Sequence, residues 1–138
     1  MKRYKEVPHT ADMAVQIYGR SVAELFENAA FAIFDQMADL AGLSGGETAE
    51  VNVDAPDTES LLVAWLNELL YLSFNRDLLF YGFRVISMEK NKLRAEATGQ
   101  NLEENRARIN VEIKAATYHD VRIKKRDHGY EVTVVFDV

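Results

Sequence analysis

Residues 13–37 read MAVQIYGRSVAELFENAAFAIFDQM, and the hydrophobic period changes within them. Met13, Val15 and Ile17 alternate with Ala14, Gln16 and Tyr18, the two-residue rhythm of a half-buried strand, which stops at Gly19. Ser21 followed by Glu24 is a capping box. Beyond it Val22, Leu25, Phe26, Ala29, Ala30, Ile33, Phe34 and Met37 recur at three- and four-residue steps and make one apolar helix stripe. This helix is expected to end near Gly42.

The rest of the chain never returns to a strand–helix–strand repeat. Leu43 to Gly46 is a turn, and Glu47 to Val53 is a short, polar strand carrying Val51 and Val53, expected near a sheet edge. After Pro56, Asp57 or Thr58 caps a second helix with the stripe Leu61, Leu62, Trp65, Leu66, Leu69, Leu70 and Ser73. Tyr71, Leu72 and Phe74 make its last turns apolar almost all round, which predicts burial of that end, with a partner surface as the alternative. From Leu79 the pattern is β-like. Phe80–Met88 and Leu93–Thr98 flank a turn at Asn91-Lys92, and Gly99 to Arg106 is a polar loop. Ile109, Val111 and Ile113 alternate with Asn110, Glu112 and Lys114 as a further strand. Val121–Arg126 and Tyr130–Phe136 form a hairpin around Asp127-His128-Gly129. Two helices against many antiparallel strands give an α+β sandwich rather than a doubly wound sheet.

Composition bounds the function. The 138 residues suit a single domain over 1–138, and 48% hydrophobic with 28% charged residues excludes disorder. A net charge of −6 disfavours direct binding to nucleic acid, which needs a basic field. The absence of cysteine excludes disulfides, thiolate nucleophiles and cysteine-bound metals, and fits a reducing compartment. The polar N-terminus lacks a signal-peptide core, and the apolar run near Leu61–Leu72 is too short and interrupted to span a bilayer, so a cytoplasmic location with no membrane contact is expected.

Phosphate loops, paired-histidine zinc helices, serine elbows and calcium loops are all missing. His128 sits in a turn and His119 ends a polar run, where a structural hydrogen bond is the plainer role. His9-Thr10-Ala11-Asp12 gathers an imidazole, a hydroxyl and a carboxylate ahead of the first strand, which an Asx-turn also explains. Arg122, Lys124, Lys125 and Arg126 suit either an anion site or the protection of a sheet edge. At the other end Asp137 and the α-carboxylate of Val138 adjoin in a strand that keeps its rhythm to the last residue. Like charges so close call for a cation or donors, and a hard divalent ion bound wholly by oxygen would serve, while a solvated strand end is the alternative. Lys114 beside Glu112 reads as a surface ion pair.

Five segments together resemble the archease family, accessory proteins of the RtcB-type RNA-splicing ligase. They are His9-Thr10-Ala11-Asp12, Leu25-Phe26-Glu27-Asn28-Ala29-Ala30, Trp65-Leu66-Asn67-Glu68-Leu69-Leu70-Tyr71, Glu112-Ile113-Lys114-Ala115-Ala116-Thr117-Tyr118-His119 and Phe136-Asp137-Val138. The resemblance runs over essentially the whole chain. It implies an α/β/β sandwich with a divalent-metal site, calcium first and magnesium or manganese as alternatives, at Asp12, Asp137 and the terminal carboxylate of Val138. It further implies that Lys114 matters for activity, and that the protein is no enzyme itself but promotes guanylylation and repeated turnover of the ligase in tRNA splicing and RNA repair. Contact with RNA would then be indirect, through the ligase. His9 and His119 fall in matching motifs, with no role implied beyond shaping the site. A stand-alone metal-dependent phosphoester hydrolase using Asp12, Asp137 and His119 is the alternative.

Overall fold

The computed structural model describes residues 2–7 and 12–138, and it is α+β as the sequence predicts. Strands β1 (Tyr4–Val7), β2 (Met13–Gly19), β6 (Ala115–Ala116), β7 (Lys124–Arg126) and β8 (Gly129–Asp137) build one antiparallel sheet in the order β1-β2-β8-β6, with β7 also on β8. Strands β3 (Glu47–Asp54), β4 (Leu78–Glu89) and β5 (Lys92–Asn101) build a second, in the order β3-β5-β4, so β3 is the edge expected of it. Helices α1 (Val22–Met37) and α2 (Thr58–Arg76) each touch strands of both sheets, and the core forms around them. Trp65, fully buried, donates its indole N–H to the Phe26 carbonyl at 2.9 Å and ties the two helices together.

Half of the capping box forms: the Ser21 hydroxyl accepts from the Glu24 N–H at 3.1 Å, while the Glu24 carboxylate accepts from the N–H of Arg20, one residue before the cap, at 3.1 Å. Gly19 is required at the strand-to-helix corner, because a Cβ there would lie 2.4 Å from the Leu25 nitrogen. The helix stops at Met37 rather than near Gly42. Ala38 turns extended and bridges Ile109, the Asp39 N–H bonds the Arg108 carbonyl at 2.9 Å, and the Met37 carbonyl accepts from Asn110 at 2.7 Å. The apolar pattern continues past Met37 because Leu40 packs, not because the helix goes on.

Asp57 rather than Thr58 caps α2, accepting from the Ser60 N–H at 2.8 Å. Every residue of the predicted stripe is buried, but Tyr71 and Phe74 are 62% and 79% exposed, so the apolar end of this helix is not covered on all sides. The β4–β5 turn falls at Lys90 and Asn91, both at positive φ, one residue earlier than the pattern indicated. β5 continues through Gly99 to Asn101, and a 3-10 helix over Glu103–Arg108 replaces the rest of the predicted loop. Residues 109–114 keep their alternation, with Ile113 buried and Asn110, Glu112 and Lys114 exposed, yet join no sheet beyond the Ile109 bridge. Of the strand predicted at 121–126, only Lys124–Arg126 pairs. β1, which sequence reading missed, pairs four residues with β2. No helix of the described residues is long and apolar enough to cross a membrane.

Candidate functional site

β8 is the strand around which the site is built. Its final rung with β2 pairs Phe136 with Met13, so Asp137 and Asp12 follow at the same end of the same ladder. On its other side Ala115 pairs with Asp137, and the Lys114 N–H donates to the Asp137 carbonyl at 2.8 Å. Thr117 then fixes this short strand by donating both its N–H, at 2.9 Å, and its hydroxyl, at 3.0 Å, to the Val135 carbonyl. The backbone thus gathers Asp12, Lys114, Asp137 and Val138, residues from both ends of the chain, at one end of the five-stranded sheet. Asp12 is half-buried there, while Lys114, Asp137 and Val138 are exposed.

A residue that sequence reading passed over holds the arrangement from behind. Asn67 of α2 accepts from the Ala116 N–H at 2.8 Å and donates to the Ala116 carbonyl at 3.1 Å, supplying both bonds that a further strand would make to β6. Its signal in the sequence is an amide set in an apolar helix run, where burial demands a partner.

The donor set of Asp12, Asp137 and the Val138 α-carboxylate is all oxygen, which suits a hard divalent ion. Among the described residues no three His, Asp or Glu side chains gather as metal ligands. The His9-Thr10 part of the first motif lies outside the described residues. Lys114 forms no ion pair among the described residues, contrary to the expected pairing with Glu112. His119 is exposed, its N–H donating to the Thr117 hydroxyl at 3.3 Å and its Nε2 lying 3.5 Å from an Asp120 oxygen. His128 is exposed in the β7–β8 turn. The basic run is exposed, with Arg126 bonded to Glu131. A cavity of about 920 Å³ lies against that turn, lined by Tyr18, Lys125, His128 and Tyr130, at the opposite end of β8 from Asp137.

Comparison with known proteins covers the same span. Residues 4–138 match the Archease protein family (MTH1598/TM1083). The protein archease of Methanosarcina barkeri is 38% identical over 141 residues, 99% of this chain and 97% of the relative, and that of Pyrococcus abyssi is 39% identical over 133 residues, 94% and 93% of the two chains. The solution structure of Methanobacterium thermoautotrophicum protein 1598 superposes with a TM-score of 0.85 at 31% identity, covering 100% of both chains. A Thermotoga maritima protein described as an archease and possible chaperone gives 0.68 at 25% identity, covering 97% of this chain and 96% of the other. Agreement in sequence and fold across the whole length makes this chain a member of the archease family.

Proposed function

We propose that this archease is an accessory factor of an RtcB-type RNA ligase, which it activates by promoting guanylylation and so sustaining multiple turnover in tRNA splicing and RNA repair. The observation that supports this reading is the convergence of Asp12, Lys114, Asp137 and Val138 on one exposed sheet end, where the Asp12 and Asp137 carboxylates have no hydrogen bond and Lys114 no ion pair among the described residues. In guanylylation a ligase histidine bonds the α-phosphorus of GTP and pyrophosphate leaves, so negative charge builds on phosphate oxygens. The Lys114 ammonium, carried on a segment bonded to the Asp137 and Val135 carbonyls, offers a pre-positioned cation for that charge. Asp12, Asp137 and the Val138 α-carboxylate would hold a divalent ion, calcium in the first instance. When bound, the ion supplies a second positive centre beside Lys114 and relieves the repulsion among its own ligands. The archease contributes no catalysis alone, touches RNA only through the ligase, and works in the cytoplasm.

Multiple-turnover ligation by the same organism's ligase tests this. Wild type should stimulate it, and Lys114→Ala should stay folded and fail to. Because Lys114 is exposed and has no ion pair among the described residues, its removal should change stability by no more than about 0 to 1 kcal/mol. Lys114→Arg should restore part of the stimulation, since a planar guanidinium presents its charge differently from an ammonium. Full stimulation by Lys114→Ala, or phosphoester hydrolysis by the purified protein without ligase, would overturn the reading.

A further inference from the structure

Tyr71 and Phe74 are the clearest break between the sequence pattern and the structure. With Asn67 they stand at i, i+4 and i+7, one stripe on the outer face of α2, about 10 Å long at 1.5 Å per residue. The two ends of this stripe differ. At Phe74 it is open to solvent, whereas at Asn67 it is bonded to Ala116 of β6, two residues from Lys114. Tyr118, two residues beyond Ala116, is 65% exposed. Of five large hydrophobic residues exposed among those described, Tyr71, Phe74 and Tyr118 lie on α2 or beside β6, and Val138 follows the β8 residue that pairs with β6. Ile86 lies apart on β4. Single exposed apolar residues are ordinary, but Tyr71 and Phe74, two large aromatics one turn apart on one helix face, make a patch of the kind that marks a protein contact.

The chemistry around the patch selects its occupant. Asp54 and Glu68 line the groove that Tyr71 forms between α2 and the β3 edge. RNA is disfavoured on an acidic groove, and a second copy of this chain mated by two-fold symmetry would bring these carboxylates against themselves. A protein that grips RNA ends carries cationic surface around its active site, and such a rim complements this one. We infer that the Tyr71–Phe74 stripe of α2, continued through Asn67 to the segment bearing Lys114, is the surface on which the archease docks the ligase, with Tyr71 and Phe74 as its apolar anchors. This rests on the functional reading above and adds a contact distinct from the carboxylates and Lys114.

Direct binding of the full-length archease to the same organism's ligase, by calorimetry, tests it. Tyr71→Gln with Phe74→Gln should weaken binding about tenfold or more, as truncating central aromatic anchors does, while the melting temperature and calcium-induced stabilisation stay at wild-type values. Ile86→Gln, off the patch, should bind as wild type does. Equal affinity for wild type and the double variant would overturn the docking surface and leave ligase activation standing. Absence of binding by wild type would overturn both. Sedimentation showing a wild-type dimer that the double variant converts to monomer would give the patch to a second copy and refute the assignment.

Discussion

Asp12 and Asp137 sit one step beyond the last rung of the β2–β8 ladder, and neither carboxylate has a hydrogen bond or ion pair among the described residues. Their substitution therefore separates the proposed metal binding from folding. Calcium at about a hundred times its dissociation constant should stabilise the wild type by roughly 2.7 kcal/mol, and Asp12→Ala or Asp137→Ala should abolish that gain while the metal-free melting temperature holds. Thermal melts with and without calcium check this. Tyr4, in contrast, is structural. Burial, helped by its 2.6 Å bond to Asp35, pushes the phenol up to about 12 from an ordinary value of 10.0. The folded state thus binds this proton more tightly than the unfolded state, and the resulting stability is complete below pH 10 and is lost as pH rises toward 12. Urea unfolding across that window should show wild type losing more stability than Tyr4→Phe.

Among the elements, β6 is the one whose existence depends on a side chain from elsewhere. Asn67→Ala would leave the N–H and carbonyl of Ala116 without their partners in a buried position, at a cost of about 1–3 kcal/mol. Hydrogen exchange should show the Ala116 amide opening in this variant while the α2 amides remain protected. The same dependence explains why this stretch was hard to read from sequence. Ile109, Val111 and Ile113 do alternate, but alternation reports which face is buried and not whether a neighbouring strand is there to bond. α1, α2 and the β4–β5 hairpin were legible because their signals are local, in caps, stripes and turn. The end of α1 was not, since a distant segment, 108–111, captures its last carbonyl. Tyr71 and Phe74 were misread for a related reason: hydrophobicity shows that a residue is to be covered, without showing by which molecule.

For the whole molecule, the family was legible because its motifs are spread over the full length, and the carboxylate at the strand end stood out even before the resemblance. Its pairing with Asp12 was not visible locally, because the ladder that joins them spans nearly the entire chain. That geometry makes the terminus itself testable. A tag fused after Val138 turns its α-carboxylate into an amide, so such a fusion should bind calcium more weakly than an N-terminally tagged protein in matched calorimetric titrations. Identical titrations would remove Val138 from the ligand set.

The position of β8 also governs when the fold can form. This strand follows every other described element in sequence, is interior to its sheet and pairs seven residues with β2, the second. During synthesis β1, β2 and α1 leave the ribosome early with their apolar faces uncovered, and no local pairing can replace the strand still to come. Closure of the sheet is therefore a late and slow event, dominated by contacts between the two ends of the chain. Until then the nascent chain carries the exposed edges that make a partly made β protein prone to aggregate.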